Sequence, residues 1–212
     1  RDCLLGALGA FLMLVGDLCL SVIPASPGDS GLFVREAYLD CSYEAWRLPL
    51  LLAAGLVGMS LGFFTVRASY LQIQPQYRKT RSLLLAGGVV YIATAGTLHF
   101  FIGSLADRTG TLALLVGREK AIALIRAYYA RLMPAMYFAY AGMILLILVS
   151  AFAVLTKRTV LPRWMFLFHM IVFRIVFVLI PDIRQAVGAD ISTWDFVLSQ
   201  GSGNAALCIW MI

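Results

Sequence analysis

The sequence predicts an all-α, polytopic bundle of membrane helices, and three observations carry that prediction. Of the 212 residues, 61% are apolar and only 13% are charged, against about half and about a quarter in a soluble domain. Mean hydropathy is +0.88. The apolar residues lie in runs of the length, about 20 residues, that a helix needs to cross hydrocarbon. No polar stretch is long enough to enclose a core of its own, so residues 1–212 read as one transmembrane domain. With no water to bond their amides, the spans are expected to be helices.

Six spans follow in order. The first reads Leu4–Ile23 and stops at Pro24, the second about Leu48–Val66, and the third about Leu83–Ile102. The fourth runs Leu132–Leu155, the fifth Trp164–Ile180 with a stop at Pro181-Asp182, and the sixth from Trp194 to the end. Between the third and fourth, residues 111–131 have helical length but carry Arg118, Glu119, Lys120 and Arg126. Leu115, Ile122, Ile125, Tyr129 and Leu132 recur there at helical spacing. That pattern predicts an amphipathic helix in the interface or over the bundle mouth, a seventh span being the alternative. Arg1–Ile23 does not read as a signal peptide, because no clear small-residue cleavage site ends it.

Charge sets the expected orientation. One side carries eight basic residues, among them Arg1, Arg78, Lys79, Arg81, Lys157, Arg158 and Arg163. The other side also has eight, but five of them lie in the long connection Gly103–Arg131; without it the ratio is eight to three. Short basic loops stay inside, so both termini are placed in the cytoplasm of a multi-pass cell-membrane protein. The basic loops near lipid phosphates act as topology determinants and are not read as nucleic-acid sites. Gly58 and Gly62 form a GxxxG pair, which lets helices approach closely either within the bundle or across a homodimer face. Four cysteines read as free thiols, a Cys19–Cys41 disulfide being conceivable on an oxidising side.

The residues that speak of function are polar groups inside apolar runs. A charge at bilayer depth survives mainly where it faces the bundle interior, finds a partner or does work. Asp17 in the first span and Arg174 in the fifth are such charges, joined by His99, His169 and Asn204. At about 1.5 Å per residue, Asp17, Arg174 and Asn204 fall about 15–20 Å into their spans and His99 about 24 Å. Arg174 is expected to pair with Asp17, or with Glu44. The first loop adds Glu36, Asp40, Glu44 and Arg47, and Asp182 closes the fifth span. Candidate catalytic residues are therefore Asp17, Glu44, His99 and Arg174, and candidate substrate contacts are Arg47, Asp182, Asn204, Trp46, Phe100 and Tyr137. Such a set can donate protons, accept them or hold an anion. His169, nearer the other end, reads as a packing residue. No spacing of Cys, His or carboxylates suggests a metal, and no cofactor motif is present.

Several short patterns occur together: Gly16-Asp17, Trp46-Arg47, His99, Pro162-Arg163-Trp164 and Gly203-Asn204. With them the chain resembles a family of small bacterial integral membrane proteins classed only as a domain of unknown function, which implies the fold but no activity. His169 stands where that family's fifth span would carry a polar Asn. A looser similarity, of architecture alone, is to membrane-bound terpene cyclases. It implies a carboxylic acid, Asp17 or Glu44, protonating a prenyl alkene or epoxide in an aromatic-lined pocket.

The leading expectation is an intramembrane enzyme using acid–base chemistry on a lipidic substrate, isoprenoids included. Its partners would be membrane lipids and a hydrophobic small molecule. Two other classes stay open: a carrier or channel for a small solute or proton, and a non-catalytic membrane interaction protein. The internal repeat found in many transporters is missing.

Overall fold

A computed structural model of the chain describes residues 1–27, 29, 34–188 and 192–212. Its helices are α1 (Asp2–Ser21), α2 (Glu36–Leu39), α3 (Arg47–Gln72), α4 (Arg78–Val116), α5 (Arg118–Leu155), α6 (Met170–Ala186) and α7 (Thr193–Met211). A 3-10 turn, Arg163–Phe168, precedes α6. Among the described residues no strand forms, and Ile73 and Thr159 make one antiparallel bridge. Among the described residues five segments are long and apolar enough to cross a membrane: α1, α3, α4, α5, and Arg163–Arg184, which joins the turn to α6. The polar run Gly201–Asn204 dilutes α7, which is 19 residues long.

The helices pack in the order α5, α4, α3, α1, α7, α6, each against the next, while α5 and α6 barely touch. The result is a ring with a slot between its two ends. Sequence explains the tightest seam. A methyl group on Gly9 would stand 2.8 Å from the Gly58 carbonyl of α3, and one on Gly58 would stand 2.8 Å from the Gly9 carbonyl. Hydrogen at both positions is what lets α1 and α3 meet backbone to backbone. Gly58 is thus used inside the chain, so the expected Gly58–Gly62 motif serves bundle packing at that residue. All four cysteines are free thiols.

The loops at one end, here the basic face, are stitched together. The Gln74 amide donates to the Thr159 carbonyl at 3.0 Å. Arg81 Nε donates to the Ile73 carbonyl at 2.9 Å and stacks over Tyr70. At the opposite, α2 face, a fully buried arginine closes the end of α1. Arg35 Nη1 donates to the Leu20 and Ser21 carbonyls at 3.2 and 3.1 Å, and Nη2 donates to Ile23. Its Nε lies 3.4 Å from Asp29 Oδ2, and its guanidinium covers the Phe196 ring at 4.1 Å. The last carbonyls of any helix lack intrahelical donors; here Arg35 supplies two of them. Tyr38 adds its hydroxyl to the Leu20 carbonyl at 2.7 Å, and burial pushes its phenol up to about 12, with the neighbouring Arg35 opposing.

Two expectations need correction. Residues 111–131 are not a separate interfacial helix. The third span continues as α4 to Val116, Gly117 turns at φ +84°, and α5 starts at Arg118. The extension is held because α2 and its loop pack on it: Arg118 pairs with Glu36 and Asp40, Tyr43 donates to Asp107 at 2.9 Å, and Ala106 is buried with Tyr38 and Ile23. Leu105 and Ile125 face each other across the hairpin. The amphipathic stripe thus meets a neighbouring helix. The fifth span also differs. It breaks at His169, whose backbone is extended, and then runs through Pro181 to Ala186.

Two variants test this account by thermal unfolding in detergent. Gly58→Leu forces the α1–α3 seam apart and is expected to cost about 1–3 kcal/mol. Arg35→Met strips the α1 carbonyls of their donors and leaves Asp29 buried without its cation, an expected loss of about 3–5 kcal/mol; adding Asp29→Asn should restore part of it.

Candidate functional site

Asp17 reaches the interior because of its place on α1. Gly9, Met13 and Gly16 share the stripe that faces α3, and one further residue turns the helix by about 100°. Asp17 is therefore swung off the α1–α3 seam toward the middle of the ring, where it is buried. On α4, Tyr91, Ala95, His99 and Ile102 form one helical stripe along the same space. His99 can approach because α3 offers Gly55 behind it: a methyl group there would stand 3.4 Å from His99 Cβ. α5 contributes Ala139, Tyr140, Met143, Leu146 and Ile147; α6 contributes Met170 and Arg174; α7 contributes Gly203, Asn204 and Leu207. Together with Leu20 these residues enclose a cavity of about 280 Å³.

The polar groups lie within reach of one another. Asn204 Nδ2 donates to Asp17 Oδ2 at 2.7 Å. His99 Nε2 stands 3.8 Å from Asp17 Oδ1, too far for a direct hydrogen bond and near enough for a proton relay through one small group. Arg174 and Tyr140 line the same wall with Tyr91. The remaining lining is aliphatic, methionine or glycine. Asn204 gives Asp17 its hydrogen bond, because it projects from α7, which packs directly on α1. Arg174, the partner expected for Asp17, lines the same cavity from α6, one helix further round the ring.

Of the expected site residues, Asp17, His99, Arg174 and Asn204 come together here. The others do not. Glu44 is exposed and pairs with Arg47, whose hydrogen bond holds the Glu44 carboxyl below the usual range. Arg47 also donates to the Cys19 carbonyl at 3.2 Å and packs by Trp46, so both belong to the loop that enters α3. Phe100, Tyr137 and Trp46 are more than half exposed, and Asp182 is exposed on α6. Tyr91, Tyr140 and Met143 were not singled out as site residues. The signal that finds Tyr91 is its spacing of eight from His99, which places both on one stripe of an uninterrupted helix.

His169 lies at the rim and acts as a structural link. Its Nδ1 accepts the Ile171 N–H at 3.2 Å, so the ring proton sits on Nε2, which donates to Ser150 Oγ at 2.8 Å; Ser150 passes its own proton to the Ile147 carbonyl at 2.9 Å. The ring thereby caps α6, lies parallel to Phe166 and leans on Trp210. Among the described residues, His, Cys, Asp and Glu nowhere gather in threes close enough to hold a metal ion.

A double-mutant cycle read by thermal unfolding tests the Asp17–Asn204 bond. Asp17→Leu with Asn204→Leu should show coupling of about 1 kcal/mol or more, since the pair shares a buried hydrogen bond.

No curated protein and no solved structure matches the chain. Residues 1–203 match the model of a family of unknown function, DUF6796, and the chain belongs to that family.

Proposed function

We propose that the protein is an intramembrane enzyme that carries out acid–base chemistry on a lipidic substrate, an isoprenoid-like alkene or epoxide being the class the cavity suits best. One observation carries the reading: a carboxyl, an imidazole, a guanidinium and a carboxamide from four different helices meet in a cavity whose other walls are apolar. Largely apolar walls with a few convergent polar groups are the usual make-up of a small-molecule site.

In this reading Asp17 is the acid. Its proton passes to the substrate's alkene carbon or epoxide oxygen, the new carbon–carbon bond closes the ring, and the proton lost from the product is taken by His99. Transfer from His99 to Asp17 resets the pair, so atoms and charge balance without a redox partner. Asn204 holds the Asp17 carboxyl in one orientation, while Arg174 and Tyr140 supply N–H and O–H donors to a substrate oxygen. Tyr91 presents its ring to the same space. Ring faces attract positive charge, which suits a cationic intermediate.

The finer topology goes with this proposal. α7 serves as the sixth span, and the basic face lies in the cytoplasm, which puts both ends of the chain there and the α2 face outside.

The decisive experiment incubates purified protein in nanodiscs with lipid extract and follows conversion by mass spectrometry. Asp17→Asn is expected to lower turnover by about 10²–10⁴-fold, the range of general acid–base catalysis, while unfolding near the wild-type temperature. Normal turnover in that variant would sink the assignment. Proton or solute flux in proteoliposomes, abolished by the same substitution, would point to a carrier instead.

A further inference from the structure

We infer that the substrate enters sideways from the bilayer through the slot between α5 and α6, and that its reacting group is carried within its chain and not at its head. The inference rests on the enzymatic reading above and adds a route and a substrate class to it.

The ring is sealed elsewhere. Asp17 and Asn204 tie α1 to α7, the Gly9–Gly58 contact closes α1 on α3, and Val66 of α3 fills the space beside Gly88 of α4. Gly87 and Gly142 bring α4 and α5 together as closely. Every residue that lines the cavity belongs to a helix; the loops at the two faces contribute none. α6 packs along α7, and that leaves α5 and α6, which barely touch. One side-chain tie across this gap, Ser150 to His169 at the start of α6, sits near the basic face. Away from it the two helices present Tyr140 and Met143 on one side and Arg174 on the other, all three on the cavity wall.

Depth says which part of a lipid arrives. Asn204 lies eleven residues from Thr193, Arg174 twelve from Ala186 and Asp17 four from Ser21. At 1.5 Å per residue the group spans about 6–18 Å below the α2 face, inside a hydrocarbon layer about 30 Å thick. Headgroups lie at the surface, and only chain atoms, or a neutral lipid lying between the leaflets, reach that level.

Size adds a limit. A cavity of about 150 Å³ holds one benzene, so the 280 Å³ here accommodates about ten to twelve heavy atoms on the same scale. A longer chain must leave its remainder in the slot. The fitting substrate is a single-chain lipid, alkenyl or prenyl, that offers an internal segment to Asp17 and His99.

Photolabelling tests the route. The probes are three hexadecanols in nanodiscs, with a diazirine beside the hydroxyl, at mid-chain or at the methyl end, and labelled peptides are mapped by mass spectrometry. The mid-chain or methyl-end probe is expected to label the α4 and α5 segments around Tyr91 and Met143, and the hydroxyl-end probe is not. Met143→Trp, which fills the slot, should lower the α4 labelling about tenfold; Met143→Phe replaces it if the larger ring prevents folding. Asp17→Asn should label as wild type does. Strongest labelling from the hydroxyl-end probe, equal labelling from all three, or labelling that ignores the plug would each overturn the inference. If the labelling fails while Asp17→Asn still abolishes lipid conversion, the route is wrong and the chemistry stands; correct labelling with normal conversion in Asp17→Asn means the reverse.

Discussion

A carboxyl group enclosed by apolar helices has to be met by a donor, and the donor that meets Asp17 is at the far end of the chain. Asn204 lies 187 positions away in sequence. That bond joins the first helix to the last and fixes where the ring closes. Once α1 holds both α3 and α7, the remaining helices have to arrange themselves as two arms, α4–α5 and α7–α6. The arms end beside each other with little contact. The cavity is what lies between them, so its existence and its open side follow from a single polar pairing plus the connectivity. A buried hydrogen bond of this type is worth only about 1 kcal/mol net, but leaving the carboxyl unmet costs more. It therefore acts mainly by excluding other arrangements.

Much of the fold was legible because apolar runs of span length have few alternatives. The first and sixth runs match α1 and α7 closely, and the second starts with α3 but ends at Val66 where the helix continues to Gln72; Pro24, Pro49 and the Ser192–Asp195 capping box mark the ends that agree. The misreadings share one cause. Polarity in the 103–131 region signals exit from an apolar environment but not the end of a helix, and Gly117 was the only real punctuation there. Part of the amphipathic stripe is used: Ile125 and Tyr129 pack against Ile102, Leu105 and Leu112 of α4 across the helical hairpin, which no local pattern reveals. Likewise Pro181 looked like a stop, yet a helix can carry a proline inside when its neighbours absorb the lost hydrogen bond. The break at His169 had no such marker: it depends on a ring nitrogen finding Ser150 on another helix.

The candidate site was legible in part and for a physical reason. A charged or amide side chain in an apolar run has nowhere favourable to go except inward, so depth alone brought Asp17, His99, Arg174 and Asn204 to one place. Pairing within the set depends on which helices are neighbours, and neighbour order is a tertiary fact; it is Asn204 that bonds Asp17, with Arg174 on the wall of the same cavity. Loop residues fared worse. Glu44, Arg47 and Asp182 are ordinary surface or entry-turn groups, and nothing about a solvated carboxylate forces it to face a cavity. Exposed aromatics such as Phe100 and Tyr137 were drawn in by composition, whereas Tyr91 and Tyr140 qualify through helical phase.

The arginine that closes α1 has a consequence for how the chain is made. Arg35 grips the carbonyls of Leu20, Ser21 and Ile23, but the ring that shields it, Phe196, is on the last helix, and Thr193 from the same helix reaches the Ile23 carbonyl at 3.3 Å. A ribosome delivers residue 35 long before residue 196. Until then that guanidinium stands uncovered at the end of α1, open to water. Only arrival of α7 seals it, so the segment after α1 reaches its finished packing once every helix between has been made, and loss of α7 would leave Arg35 accessible.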